Sequence, residues 1–329
     1  MKKRFFTILI SKGEIELDYR KYTPGDEKVI LDVFEIAFGR KLAMDYWKWR
    51  YISNPIKDTD LINLAWDKNQ LAAHYALSPI SIFINGIKYN AALSMTTFTH
   101  PNYLKRGLFT KLAEELYLEN IELLDVIFGV PNNNSVNGFV KKLGFKLIKE
   151  IPMLESKISN EKYNVSDKCI LVEEFDKKFD DLFLLVVNKY KIITSRDSKF
   201  LNWRFIDNPD NKYQVVAYID EDKILGYAVI KTYVINSEQT GDIVDLIAIN
   251  ASILRQLINF CFDVFQSKGI SKVNTWFFDN ELMSVLKEFN FEENGDYFHF
   301  IIRNNSIKMN DDLLNFNNWY LTMSDIDIF

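Results

Sequence analysis

Ten residues of this chain occur twice. Residues 46–55 read YWKWRYISNP and residues 200–209 read FLNWRFIDNP, so the pattern aromatic-x-x-Trp-Arg-aromatic-Ile-x-Asn-Pro returns after a shift of 154 residues. A repeat spaced by a whole domain length, rather than by about 20–50 residues, predicts two copies of one globular fold and argues against a solenoid. The expected units are residues 1–160 and 161–329.

The stretches after each decamer agree with this. Apolar strand pairs with polar tips at residues 67–70 and 220–223 predict a hairpin in each half. Another strand follows (AALSMTTFTH; GDIVDLIAIN), then a helix whose apolar stripe runs through Leu108, Leu112 and Leu116 in the first half and Leu254, Leu257, Ile258, Cys261 and Phe265 in the second. Strand, helix and strand then recur, with Gly144 and Asn290 ending the helices. Each half is therefore expected to be α/β, in the order helix, hairpin, strand, helix, strand, helix, strand. The shared Trp49-Arg50 and Trp203-Arg204 suit phosphate or sugar, but a feature kept in both copies while the loops diverge is better read as a helix end packed under the sheet, stopped by Asn-Pro.

The halves differ between the third strand and its helix. The first has HPNYLKRGLFTKL (residues 100–112); the second is shorter there, with neither glycine nor a basic residue. A turn carrying Lys105, Arg106 and Gly107 that opens directly into a helix offers backbone N–H groups and the positive helix end to an anion. A solvated helix cap is the plainer alternative.

This turn, with GVPNNNS (residues 129–135) and FVKKLGF (residues 139–145), resembles the two cofactor motifs of the GNAT N-acyltransferases. The resemblance covers residues 17–158 by motif and 170–303 through the duplication. It implies two tandem GNAT-like domains, each a mixed, largely antiparallel sheet flanked by helices, with only the first binding acyl-CoA. The co-substrate contacts it implies are Thr97, Thr99, Leu104, Lys105, Arg106, Gly107, Leu108, Phe109, Thr110 and Asn134. Leu104 and Phe109 depart from the family's usual residues, and Val140 stands where the family often has a tyrosine that protonates the departing thiolate. A CoA thiol of pKa about 8.5 can leave largely as thiolate. The pattern is similar to bacterial enzymes that acylate amino sugars on dTDP carriers. Acylation of an amino acid, polyamine or antibiotic amine, and a non-catalytic acyl-CoA sensor, are the alternatives.

Acyl transfer to an amine needs a route for a proton to leave and donors for the oxyanion. Backbone N–H groups at residues 97–99 are candidate donors. Candidate bases are Asp245, a carboxylate inside the apolar run IVDLIAI; His100, which ends the strand beside the turn; and, behind them, His74. A buried ion pair is the structural alternative for Asp245. In the tail, Asp325 and Asp327 share a strand period and one face, either solvated or closing over an acceptor site. Lys48, Arg50, Trp319 and Tyr320 are candidate contacts for a nucleotide-sugar, and the acceptor is expected between the halves.

Composition narrows the partners. A net charge of −5, with no basic block beyond residues 1–4, makes nucleic acid an unexpected partner. Residues 5–10 are too short an apolar run for an export signal, and no run approaches 18 apolar residues, so neither export nor membrane spanning is expected. Two cysteines at unmatched places suggest no disulfide framework and fit the cytoplasm, and His74, His100 and His299 lack metal-ligand spacing. Small-molecule substrates are the expected partners; oligomeric state is left open.

Overall fold

The computed structural model describes residues 16–56, 61–235, 237–277, 279–306 and 311–327; residues 1–4 and 5–10, discussed above, lie outside them. The first half runs β1 (Asp18–Lys21), α1 (Glu27–Phe38), α2 (Met44–Tyr51), β2 (Ile62–Asp67), β3 (Gln70–Ile84), β4 (Ile87–Thr99), α3 (Leu108–Glu119), β5 (Val126–Gly129), α4 (Val136–Lys142) and β6 (Lys146–Lys157). The second runs β7 (Cys169–Val172), α5 (Lys177–Val186), β8 (Ile192–Thr194), α6 (Ser198–Leu201), β9 (Tyr213–Asp220), β10 (Lys223–Ile235), β11 (Glu238–Ala248), α7 (Ala251–Ser267), β12 (Lys272–Thr275), α8 (Asn280–Glu288) and β13 (Glu292–Asn304), followed by β14 (Trp319–Tyr320). Both predicted hairpins form, β2–β3 and β9–β10, with Lys68 at φ 54° in the first tip and Glu221 and Asp222 at φ 47° and 66° in the second.

The described strands make one mixed sheet: twelve follow the order β1-β2-β3-β4-β5-β13-β6-β12-β11-β10-β9-β7, and off this path β8 pairs with β3 and with β14. The order is palindromic by half, but the two final strands are exchanged. β13 pairs with β5 of the first half, β6 pairs with β12 of the second, and the two pair with each other at the centre. A cut at residue 160 therefore follows the duplication in sequence and not the hydrogen bonding.

The duplicated decamers meet between the halves. The indoles of Trp49 and Trp203 stack with centroids 4.9 Å apart, and each Nε1–H donates to the other's backbone carbonyl, at 2.7 and 3.0 Å. Arg50 lies over both rings, while Arg204 donates to the carbonyls of Ser324 and Ile326 and thereby fastens the tail. Both arginines are buried, in keeping with a packing role for the repeated element.

The tail departs from the extended strand expected for it. Residues 323–325 form a 3₁₀ turn with a Thr322–Asp325 capping box, which separates the two aspartates. Asp325 enters the core, and Asp327 reaches a cleft in the first half.

Candidate active site

β4 and β5 run parallel and pair from Ala91↔Val126 to Leu93↔Phe128, then separate. The separation begins at Gly129, where a side chain would lie 3.2 Å from the Ser94 carbonyl oxygen. Beyond this point one backbone edge of β4 has no strand partner, and a cleft of about 560 Å³ opens against it. A bulge turns that edge: Met95 pairs with Ala76 and Phe98 with His74, so Thr96 and Thr97 face the single residue Tyr75, with Thr96 at φ 51°. His74 fixes the bulge by donating from Nδ1 to the Thr96 carbonyl at 2.8 Å while its ring stacks on Phe98. Burial pushes the His74 imidazole down to about 4, so the ring is neutral near pH 7. Thr97 Oγ1 is buried with no hydrogen-bond partner among the described residues.

One end of the cleft meets the N-terminus of α3. Gly107 caps the helix in the left-handed conformation (φ 77°), which a side chain would strain, and Lys105 shares that conformation at φ 64°. The cap offers no side-chain acceptor, and the amides of Leu108, Phe109 and Thr110 have no backbone or side-chain acceptor among the described residues. These groups, with Lys105 and Arg106 exposed beside them, place open N–H donors and positive charge together, an arrangement that suits an anion. The second half has closed its counterpart. Asn250 Oδ1 accepts from Ile253 N at 3.0 Å, and Glu281 Oε1 takes the Ala251 amide at 3.0 Å, so a protein carboxylate sits where an anion would otherwise go.

The counterpart of the cleft is also occupied. β11 pairs with β12 only from Thr240 to Ile243. Past that point Tyr320 donates to the Leu246 carbonyl and Thr322 Oγ1 to Asp245 Oδ1 at 2.9 Å. Tail residues thus fill the sibling's splay.

Of the residues assigned to acyl-CoA, Thr97, Thr99, Leu104 and Phe109 line the cleft, and Lys105, Arg106, Gly107, Leu108 and Thr110 lie at the start of α3 beside it. Leu108 contributes only its amide, because its side chain is core. Asn134 is exposed and does not line the cleft, while Asn132, Asn133 and Ser135 do, and Asn132 Oδ1 folds the loop by accepting from the amides of Asn134 and Ser135. The Phe109 ring, where the family has a small residue, packs edge-on to Phe139 beside Gly138 and so forms part of the cleft wall.

None of the three candidate bases, Asp245, His100 and His74, lines the cleft. Asp245 is fully buried and accepts from Arg196 Nε at 2.9 Å, Tyr227 OH at 2.8 Å and Thr322 Oγ1; Arg196 also binds Asp325 at 3.0 Å. Burial pushes the Asp245 carboxyl up and the guanidinium pulls it back. These surroundings are those of a buried ion pair. His100 is buried and its Nδ1 accepts from Asn102 N at 3.2 Å, capping the turn Pro101–Tyr103. Of the proposed nucleotide-sugar contacts, Arg50, Trp319 and Tyr320 are buried, and neither they nor Lys48 line the cleft.

Groups missing from the sequence reading complete the cleft. Phe34, Phe38 and Arg40 form one side, and Tyr297, Phe298 and His299 of β13 form another, brought there because β13 continues past the end of β5 after Ile301↔Gly129. Asp327 joins them from the tail. Only the Tyr-Phe-His-Phe run at residues 297–300 hinted at a lined surface, and its place depends on the strand exchange.

Residues 18–146 match the model of the acetyltransferase (GNAT) domain. Similar solved structures include a GCN5-related N-acetyltransferase from Anabaena variabilis, with 14% identity, a TM-score of 0.70 and coverage of 88% of this chain and 73% of that one. A probable N-acyltransferase from Enterococcus faecalis has 14% identity and a TM-score of 0.68, covering 88% and 72%. Saccharomyces cerevisiae N-myristoyltransferase with bound myristoyl-CoA has 10% identity and a TM-score of 0.63, covering 88% and 79%. At these identities the likeness is one of fold. No curated protein matches the sequence significantly. Among the described residues no helix is long and apolar enough to cross a membrane, and no three His, Cys, Asp or Glu side chains are grouped to hold a metal ion.

Proposed function

We propose that the chain transfers an acyl group from acyl-CoA to an amine, with residues 1–160 as the acyl-CoA-binding unit and 161–329 as a degenerate sibling that completes the acceptor side. The observation that carries this reading is the asymmetry of the halves: α3 leaves its first amides open beside an empty splay, whereas α7 caps its amides with Asn250 and Glu281 and its splay holds the tail. The diphosphate of the co-substrate would sit on the amides of residues 108–110, its arm along the unpaired edge of β4, and the amine would attack the thioester carbonyl carbon. Backbone N–H groups at residues 97–99 would receive the oxyanion.

The acceptor end would then be walled by Phe34, Phe38, Arg40, Tyr297 and Asp327. We read its ligand as the amine of a deoxysugar on a dTDP carrier, with Arg40 available to the diphosphate and the aromatic rings to the sugar or base. Asp327 favours a second reading, a cationic free amine such as an amino acid, polyamine or aminated antibiotic. The test is release of free CoA thiol from acetyl-CoA and longer acyl-CoAs in the presence of dTDP-amino sugars and a panel of free amines. Turnover with the sugars alone supports the first reading, turnover with free amines alone the second, and CoA binding without thiol release for any amine contradicts the enzyme.

A further inference from the structure

The cleft holds a titratable group that the reaction as described leaves without a task. His299 stands on β13, the strand lent by the second half, and its side chain is 15% exposed on the cleft. Its Nε2 lies 2.6 Å from Asn133 Oδ1, in the loop between β5 and α4. An amide oxygen only accepts, so Nε2 carries hydrogen. Its Nδ1 faces the Glu150 carboxylate at 3.3 Å across the strand pair β13–β6, an ion-pair distance without hydrogen-bond alignment. The other charged or titratable groups on the cleft walls are Tyr297, Asp327 and Arg40.

Resting on the function proposed above, we infer that His299 is the proton donor to the departing sulfur, the role left open by Val140, which does not line the cleft. The amine nitrogen forms the C–N bond, the C–S bond breaks, and the sulfur takes the proton from Nε2. The proton shed by the attacking nitrogen returns the ring to its cationic form, so acyl-CoA and amine give amide and free thiol with no other reactant. Histidine suits this task because it exchanges a proton near neutral pH. The acid would thus come from the second half, and the first half alone would lack it.

The experiment compares wild type with His299→Gln, which can keep a polar contact to Asn133, and with Glu150→Gln at an exposed position. Each variant is followed by CoA calorimetry and by kcat against pH, using the best amine from the panel. Expected for His299→Gln are unchanged CoA affinity, kcat lower by roughly 10², and loss of the alkaline limb through which the wild type falls as the acid deprotonates. Glu150→Gln should keep CoA affinity and most of the wild-type kcat, since the imidazole and its contact to Asn133 remain. A His299→Gln enzyme with wild-type kcat and pH profile would overturn the inference, as would a variant that loses CoA binding, which would make His299 part of the binding wall. A wild type that binds no CoA or releases no thiol would instead sink the proposed function itself.

Discussion

Trp49 and Trp203, 154 residues apart and placed alike in the two decamers, stack on each other and exchange indole hydrogen bonds to each other's carbonyls. The repeated element is thus an internal self-complementary contact. Replacing Trp203 with alanine removes a buried ring and leaves the Trp49 backbone carbonyl without the indole N–H that donates to it. We expect a loss of about 3–5 kcal/mol in urea unfolding, and less than the sum of the single losses when Trp49→Ala is added, because both variants destroy the same stack. Additive losses would show that the rings act separately.

Asp245 illustrates how a sequence can point to a base and a structure to a brace. Its carboxylate is taken up by Arg196, Tyr227 and Thr322. Asp245→Asn leaves Arg196 with an uncompensated share of buried charge, so stability should fall by about 3–5 kcal/mol, while the folded protein keeps its turnover. A drop of about 10² in kcat at wild-type stability would return Asp245 to the chemistry.

His74 gives the fold a signed response to acid. Its imidazole is about 4 in the folded chain and about 6.5 in an unfolded one, so between these values the unfolded state binds more protons. Its contribution is complete above pH 6.5 and is lost as pH falls toward 4, a total of about 3 kcal/mol. Asp242, raised by burial to about 6, acts oppositely, because the folded state then binds the extra proton as pH falls. The wild-type slope therefore mixes the two. The stability difference between wild type and His74→Gln should shrink from pH 7.5 to pH 4.5; a difference independent of pH would contradict the burial of a neutral imidazole.

How much was legible follows from which forces act locally. The hairpin tips, the helix stripes and the glycine turn at residues 104–108 were readable because turn chemistry and period are set by neighbours in sequence. The exchange of β6 and β13 was not: an alternating strand shows that one face is buried, and nothing in it says which sheet supplies its partner. His299 was hidden for the same reason, because its meeting with Asn133 spans 166 residues. The tail misled through its period of two, since the Thr322 capping box overrides the strand pattern and sends Asp325 to Arg196 while Asp327 faces the cleft.

The tail should be inseparable from the fold. Among their hydrogen bonds, Arg196 and Arg204 donate to Thr322, Asp325 and the carbonyls of Ser324 and Ile326 in the tail. A chain ending at residue 318 would leave both guanidinium groups buried with fewer partners, and it should unfold at lower urea or fail to fold. A truncated protein with wild-type stability would show that the tail is an ornament on a self-sufficient sheet.

The central claim is that a single anion-binding turn makes one half, and only one, the seat of acyl-CoA. Calorimetric titration of CoA into the whole chain and into Gly107→Glu tests it directly. The account predicts one site per chain, and binding about tenfold weaker or more in the variant, a loss of at least about 1.4 kcal/mol, because the new side chain strains a backbone at φ 77° and sets a carboxylate against the diphosphate. Two sites per chain, or unchanged affinity in Gly107→Glu, would contradict it.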